Sequence, residues 1–124
     1  MNVLIVDDVV NNRFFINRLC QQVEGVKTFE ASNGMEAIQY LEEDDSIELV
    51  FMDIEMPMMD GIDATRVIKE RWPEIEVVFQ TACYLYKNVD RINQIGKFEV
   101  LEKPIMKDDV HRIISKRIEE KEAH

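Results

Sequence analysis

Leu49-Val50-Phe51-Met52-Asp53 is the stretch of sequence that decides the fold, because four continuous apolar residues end in a carboxylate. A strand with one face in water alternates apolar and polar residues, whereas a continuous apolar run is typical of a strand covered on both faces, as in a parallel sheet. Other short runs rich in β-branched or aromatic residues also predict strands, at 3–6, 26–31, 77–79 and 98–101. The chain is therefore predicted to contain a parallel sheet.

Apolar residues at helical spacing occupy the segments between these runs. They are Ile16, Leu19, Cys20 and Val23; Met35, Ile38 and Leu41; Leu85, Val89 and Ile92; and Val110, Ile113, Ile114 and Ile118. The segment 60–71, which is followed by Pro73, adds a further predicted helix. This order predicts a (βα)₅ domain of the α/β class, in which right-handed crossovers place helices on both faces of a doubly wound parallel sheet.

Length and charge restrict the classes of function. The 124 residues suit one domain, and a surface with a net charge of -10 repels nucleic acids and anionic membranes, so we expect neither as a direct partner. Apolar runs are shorter than the roughly 18 residues of a membrane span, and no basic stretch precedes the N-terminal apolar run. Cys20 and Cys83 form no C-x-x-C pair, and Cys20 lies on an apolar helix face. The sequence therefore predicts a reducing, cytoplasmic location.

Polar side chains follow four of the predicted strands, at the edge where open α/β sheets bind ligands. Asp7 and Asp8 follow the first strand, Asp53 the third, Thr81 the fourth and Lys103 the fifth. Clustered carboxylates repel one another unless a hard cation lies among them, and oxygen ligands together with a phosphate suit Mg²⁺. With a lysine as mobile positive charge and a hydroxyl donor nearby, the group predicts a phosphoryl-transfer site with a carboxylate nucleophile.

Four stretches in the same order resemble the receiver domains of response regulators in two-component signalling, over essentially the whole chain. They are Leu4-Ile5-Val6-Asp7-Asp8, Met52-Asp53-Ile54-Glu55-Met56-Pro57-Met58-Met59-Asp60-Gly61, Thr81-Ala82 and Lys103-Pro104. The resemblance implies one receiver domain over residues 1–124, with a flavodoxin-like five-stranded sheet in the order 2-1-3-4-5. The stretch around Asp53 is the most specific of the four.

The resemblance also implies roles for the acidic residues. Asp53 would accept a phosphoryl group from the phosphohistidine of a histidine kinase or of a histidine phosphotransfer protein. Asp8, Asp53 and the backbone carbonyl of Glu55 would bind Mg²⁺ directly, and Asp7 would hold the metal ion through water. The metal-dependent phosphoacceptor is therefore expected at the end of the third strand.

A switch between two states is implied as well. Lys103, joined to Pro104 by a cis peptide bond, would contact the phosphoryl oxygens, and Thr81 would move toward them. The fourth helix, fifth strand and fifth helix would then shift and change how this face binds partners, including a second copy in a homodimer. The domain would catalyse only its own phosphorylation and dephosphorylation, and a parent chain could be a hybrid histidine kinase, so the question of an enzyme is left open.

The sequence departs from the family at the switch aromatic. Val100 stands at that position, three residues before the lysine, and Phe98 is expected on the same face of the strand. We therefore expect a weaker output or another route of coupling. Glu55 and Cys83, two residues after Asp53 and Thr81, are expected to border the phosphoryl group, and Ala82 is counted among the switch residues. The negative charge of Glu55 is expected to slow the approach of water to that group.

The start of the first helix carries two further signals. Asn12-Arg13 after the acidic pair resembles receivers attached to hybrid histidine kinases. Helical projection places Phe14 opposite the apolar face of the helix, in solvent. Two interpretations stay open: an exposed aromatic without a role, or an anchor for the helices of the phosphodonor. His111, alone on the last helix, is interpreted as a structural or surface residue.

Other functions are considered beside the receiver. A haloacid-dehalogenase-like phosphatase also has its nucleophile at a strand end, with an acidic residue two positions on, as Glu55 is here. Its motif typically lies on the first strand and carries a second Asp, whereas Asp53 is on the third. A flavin-binding module would need a Ser/Thr/Gly-rich loop after the first strand, where this chain is acidic. A receiver-like binding module that works without phosphorylation would not need the full set of site residues.

Overall fold

The computed structural model describes residues 1–82 and 87–123, and within these ranges strands and helices alternate along the chain. The strands are β1 (Asn2–Val6), β2 (Lys27–Ala31), β3 (Ile47–Asp53), β4 (Glu76–Thr81) and β5 (Val100–Glu102). The helices are α1 (Val10–Gln21), α2 (Gly34–Glu43), α3 (Gly61–Arg71), α4 (Val89–Ile95) and α5 (Lys107–Glu122). The strands form one parallel sheet in the order β2-β1-β3-β4-β5, which confirms the predicted fold and strand order.

The central strand β3 explains why its sequence is continuously apolar. Successive side chains of a strand point to opposite faces of the sheet. Val50 and Met52 lie in a core with α2 and α3, whereas Leu49 and Phe51 lie in a second core with α1 and α5. All four side chains are fully buried. Because both faces of β3 are covered, the strand ends in the interior of the molecule and holds Asp53 there.

Side-chain caps fix where two of the helices begin. Asn33 accepts a hydrogen bond from the backbone N of Glu36 at 2.8 Å, and the Glu36 carboxylate accepts from Ser32 in return. Asp60 caps α3 by accepting from the backbone N of Asp63 at 2.9 Å. Each such cap stabilises its helix by about 1 kcal/mol. Among the described residues, no helix combines the length and apolar character needed to cross a membrane.

Strand β5 is shorter than the sequence predicted. The expected strand at 98–101 begins only at Val100, so the placement of Phe98 on the strand is wrong. Phe98 is partly buried for another reason, since its ring packs edge-on against Phe79 with centroids 5.2 Å apart. An apolar run indicates that its residues are buried, but it does not show how. Phe98 is partly buried by ring packing and not by strand pairing. Leu85, placed in the predicted helix before β5, lies outside the described residues.

Candidate functional site

The carboxyl ends of the strands bring three carboxylates together. Asp7 and Asp8 follow β1, and Asp53 is the last residue of the neighbouring strand β3. One carboxylate oxygen from each residue lies within 4.8 Å of the others. Asp7 is fully buried and Asp53 is 3% exposed, whereas Asp8 is exposed. The three acidic residues that the sequence predicted for one pocket are therefore neighbours.

Lys103 bridges two of these carboxylates. Its Nζ lies 2.9 Å from Oδ2 of Asp7 and 3.3 Å from Oδ1 of Asp53. The Lys103 backbone N donates to the carbonyl oxygen of Thr81 at 2.8 Å, which joins the ends of β4 and β5. The peptide bond from Lys103 to Pro104 is cis. A single ammonium group thus offsets part of the repulsion between two buried carboxylates.

The environment of Asp53 changes its acidity. The pKa of Asp53 is raised to about 7: burial raises it most, the negative charge of Asp7 adds to this, and Lys103 opposes both effects. Burial also lowers the pKa of the Lys103 ammonium, but the hydrogen bond to Asp7 and the charges of both carboxylates outweigh it, so the pKa lies above its ordinary value. The pocket therefore favours the charged form of Lys103 and the protonated form of Asp53.

The loop after β3 is fixed by a close backbone approach. The amide N of Gly61 donates to the carbonyl oxygen of Ile54 at 2.8 Å. A Cβ atom at position 61 would lie 2.0 Å from the carbonyl oxygen of Asp53, so only glycine fits there. Between these points Met58 is 81% exposed and has a φ of 73°, which is unusual for a residue with a side chain. The start of α3 thus packs directly on the backbone of Asp53.

An ion pair joins α4 to this loop. Nη1 of Arg91 lies 2.9 Å from Oδ2 of Asp60, and Nη2 lies 3.1 Å from Oδ1 of Asp63. Burial raises the pKa of Asp60, but hydrogen bonds from Arg91 and from the backbone N of Asp63 outweigh it, so the pKa is lowered overall. Since Asp60 precedes Gly61, α4 is tied to the segment that packs on Asp53.

The sequence did not indicate two contacts beneath the acidic group. Nη1 of Arg13 donates to the carbonyl oxygen of Asp7 at 2.6 Å, and its Nε donates to Glu30 at 3.0 Å. The fully buried Gln80 donates from Nε2 to the carbonyl oxygen of Val6 at 3.4 Å. A basic residue one turn into α1 and an acidic residue near the end of β2 were the available signal for the first contact. No signal in the sequence pointed to the Gln80 contact, because a polar residue within a strand does not indicate its hydrogen-bond partner.

The remaining residues that the sequence singled out lie around this pocket. Thr81 is 3% exposed, whereas Glu55 and Ala82 are exposed. Cys83 lies outside the described residues. Phe14 is 60% exposed while Ile16 is buried, as the helical projection indicated. A nitrogen of the His111 ring lies 3.1 Å from the carbonyl oxygen of Leu19, so this histidine connects α5 to α1 and lies apart from the acidic group.

The acidic group suits a hard divalent cation. Its donors are all oxygen atoms, they are close enough to share one ion, and one of them lies at the surface where an ion can enter. No histidine or cysteine of the described residues joins the group, which argues against a zinc-type site. The donor set fits Mg²⁺, the ion that the sequence predicted.

A doubly wound α/β domain with this acidic pocket is typical of proteins that accept phosphoryl groups, and similarity to known proteins points to the same class. The response regulator receiver domain model matches residues 3–115. The chain belongs to this family, the receiver domains of two-component systems. Receiver domains bind Mg²⁺ in an acidic pocket and interact with histidine kinases or phosphotransfer proteins. The phosphatase and the phosphorylation-independent module are not favoured.

Relatives of several kinds share this similarity. Sporulation initiation phosphotransferase F of Bacillus subtilis is 29% identical over 92% of this chain and 90% of that protein. Transcription factor SKN7 of Chaetomium thermophilum is 31% identical over 94% of this chain, which spans 15% of that protein. The autoinducer 1 sensor kinase/phosphatase LuxN of Vibrio harveyi is 33% identical over 78% of this chain, which spans 11% of that protein.

Solved structures agree with the fold. A response regulator receiver domain protein from Clostridium thermocellum superposes with a TM-score of 0.85 at 28% identity, over 98% of this chain and 97% of that chain. A chain of the CheX-CheY-BeF3-Mg²⁺ complex from Borrelia burgdorferi superposes with a TM-score of 0.82 at 29% identity, over 95% of this chain and 89% of that chain.

The raised pKa of Asp53 predicts a pH-dependent stability of the metal-free protein. Asp53 has a pKa of about 7 when folded and an ordinary value of 3.8 when unfolded, so the folded state binds more protons between these limits. The stabilisation from protonated Asp53 is complete below about pH 4 and is lost as the pH rises through 7. Asparagine does not titrate in this range. The stability of Asp53→Asn relative to the unmodified protein should therefore rise from pH 5 to pH 8, by up to a few kcal/mol.

Urea unfolding in EDTA at the two pH values measures this gain. Asp45→Asn, at an exposed position, is the matched control and should show the same difference at both pH values. An Asp53→Asn effect that does not change between pH 5 and pH 8 would contradict the assigned environment of Asp53.

Proposed function

We propose that this domain accepts a phosphoryl group on Asp53 from a phosphohistidine and thereby changes which partners it binds. The observation that carries the proposal is the buried Asp53 carboxylate, held between a second carboxylate and the Lys103 ammonium at the end of the central strand. The similarity to a sporulation phosphotransferase supports the transfer of phosphoryl groups between proteins.

The transfer needs little chemistry from the protein beyond position and charge. A carboxylate oxygen of Asp53 attacks the phosphorus atom, the bond from phosphorus to the imidazole nitrogen breaks, and its electron pair stays on that nitrogen. The product is an acyl phosphate. Lys103, already 3.3 Å from Oδ1 of Asp53, can pair with the added phosphoryl oxygens. Because the attacking group must be ionised, the pKa of about 7 makes the charge balance of the pocket important.

Four residues are proposed to hold Mg²⁺. Asp8 and Asp53 would bind it directly with the backbone carbonyl of Glu55, and Asp7, whose carboxylate already has hydrogen bonds to Lys103 and to the backbone N of Val9, would bind through water. When bound, Mg²⁺ would neutralise the crowded carboxylates and the charge of the phosphoryl oxygens. The similar chain from the complex with BeF3 and Mg²⁺ supports this assignment.

Intact mass after incubation with acetyl phosphate tests the central step. We expect one added phosphoryl group that requires Mg²⁺ and is absent from Asp53→Asn. Lys103→Met should retain Mg²⁺ binding and lose phosphorylation by at least about tenfold, because the charge that pairs with the phosphoryl oxygens is gone. An adduct on Asp53→Asn, or an adduct that forms equally well in EDTA, would contradict the proposal.

The response to phosphorylation is proposed to pass through the face formed by α4, β5 and α5. Thr81 would turn toward the phosphoryl group, and Ala82 and Cys83 would border it. Val100, at the usual switch-aromatic position, offers no ring, whereas Phe98 packs on Phe79 of β4. Besides Thr81, the ion pair from Arg91 of α4 to Asp60 connects this face to the loop after Asp53. A route other than the threonine–aromatic pair is therefore available.

Glu55 is proposed to lengthen the life of the phosphorylated form. Its side chain is exposed two residues after Asp53, where an anion would repel hydroxide and order water unfavourably for attack. We expect Glu55→Ala to lose its phosphoryl group several-fold faster than the unmodified protein. Intact mass at intervals after removal of acetyl phosphate measures this loss. Glu70→Ala, on α3, is the control for loss of one surface charge. Equal lifetimes in Glu55→Ala and the unmodified protein would count against this role.

The surface beside the pocket is proposed to bind the phosphodonor. Val10 and Phe14 lie on one face of α1 and are 62% and 60% exposed, and Met106 after Pro104 is 60% exposed. A cavity of about 110 Å³ separates α1 from the loop at Pro104 and is lined by Phe15 on the helix side. Because Asp53 is almost completely buried, a phosphohistidine has to enter the pocket closely, and we propose that its protein then lies against this surface.

Phe14→Glu separates docking from chemistry. We expect transfer from a phosphodonor protein to slow by about tenfold or more, as for the loss of an interface anchor, while phosphorylation by acetyl phosphate stays unchanged. Met35→Glu, at an apolar position on α2 that is 45% exposed, is the control and should slow neither reaction. Unchanged transfer from the protein donor would leave Phe14 as an exposed aromatic without a role.

Several expectations stay predictions. They are the pairing of two copies through α4, β5 and α5, the cytoplasmic location, the absence of direct contact with nucleic acid or membrane, and membership of a longer histidine kinase. We propose that residues 1–124 act as a single receiver domain, whichever chain contains it.

A further inference from the structure

The side chain of Arg13 connects three elements next to the acidic pocket. It extends from α1, donates from Nη1 to the carbonyl oxygen of Asp7 at 2.6 Å, and donates from Nε to Oε1 of Glu30 on β2 at 3.0 Å. The Arg13 side chain is 16% exposed and its contact with the Asp7 carbonyl is partly buried, whereas the Glu30 side chain is 37% exposed. A guanidinium group that donates in two fixed directions holds its partners in a defined arrangement, which a lysine could not do.

Glu30 is itself held in place. Its second carboxylate oxygen, Oε2, accepts a hydrogen bond from Nδ2 of Asn17 at 2.9 Å. Oδ1 of Asn17 in turn accepts from the hydroxyl of Thr28 at 2.7 Å. Both oxygens of Glu30 are therefore engaged by α1, and the position of the Arg13 guanidinium is set by a network that runs along the contact between α1 and β2.

The turn at Asp7 and Asp8 depends on this link. The Asp7 amide donates to the carbonyl oxygen of Ala31, and its carboxylate oxygens accept from the backbone N of Val9 and from Lys103. The Asp7 carbonyl oxygen accepts from Arg13. Helix α1 begins after Val9, which provides no side-chain cap. Arg13 thus supplies a link from the body of α1 back to the turn, and the exposed Asp8 carboxylate is oriented by the backbone of that turn.

We propose that Arg13 is a positioning residue for cation binding, and that it connects α1 to the metal-binding turn. This inference rests on the proposed function in taking Asp7, Asp8 and Asp53 as the Mg²⁺ site. Arg13 touches no metal ligand atom and acts through the Asp7 carbonyl. Outer partners of this kind typically contribute tenfold or more to metal affinity.

The sign of the effect distinguishes position from charge. Arg13 is a cation near a cation site, so by Coulomb repulsion alone its removal strengthens Mg²⁺ binding. If Arg13 positions the turn, its removal weakens Mg²⁺ binding. Arg18→Met removes the same charge from an exposed position five residues further along α1 and leaves the Arg13 contacts intact, so it is the matched control.

Calorimetric titration with Mg²⁺ alone, without a phosphodonor, measures the first readout. We expect Arg13→Met to bind Mg²⁺ about tenfold more weakly and Arg18→Met to bind within about twofold of the unmodified protein. Amide hydrogen exchange of the metal-free protein is the second readout. The backbone N of Val9, which donates to Asp7, should exchange at least several-fold faster in Arg13→Met and unchanged in Arg18→Met.

Equal or tighter Mg²⁺ binding by Arg13→Met, or unchanged exchange at Val9, would overturn the inference. If the unmodified protein binds no Mg²⁺, the proposed metal site fails and with it the role of Arg13 in cation binding, whereas exchange at Val9 still shows whether Arg13 holds the turn. Should Arg13→Met not fold, Glu30→Gln replaces it, because it keeps the shape of the anchor and removes its charge. That variant is expected to change both readouts in the same direction by a smaller factor, and no change in either would likewise reject the role.

Discussion

The bridge from Lys103 to Asp7 and Asp53 is the interaction on which the site depends. Two buried carboxylates and a third at the surface lie within 4.8 Å, an arrangement that costs free energy unless positive charge is present. Lys103 follows β5, at the edge of the sheet, and its long side chain reaches Asp7 after β1 and Asp53 at the end of β3. The pocket is therefore poised for cations: whatever charge enters it changes the balance that Lys103 maintains.

The backbone around Asp53 makes this balance available to the rest of the molecule. Gly61 packs against the carbonyl of Asp53 with no room for a Cβ atom, and Asp60 beside it binds Arg91 of α4. Because protein interiors have little free volume, a shift of the Asp53 backbone is expected to move the segment at Gly61 that packs on it. α4 is short and, among its residues, only Ile92 is buried, so few buried contacts resist its displacement when the loop changes.

Much of this could be predicted from the sequence, because the relevant signals are local. The apolar run ending in Asp53 reports a strand covered on both faces, and the periodicity of strand then helix determines that the acidic residues meet at one edge. The contact of Gln80 could not be predicted, since it depends on the depth of the sheet end. The charges of Arg13 and Glu30 were visible, but their pairing depends on which surface of α1 faces β2. The start of β5 was misplaced for a related reason: the burial of Phe98 comes from a ring of another strand.

Helix α1 combines two properties that are otherwise separate. Its outer face carries the exposed Phe14, and the next residue toward its N-terminus is Arg13, which holds the turn of Asp7. A protein that binds this outer face restrains the helix, and the restraint reaches the turn through one side chain. Coupling between two binding sites is reciprocal, so a cation that orders the turn also favours the helix position that the partner recognises. If the phosphodonor binds as proposed, its docking and the occupancy of the acidic pocket would be linked through α1.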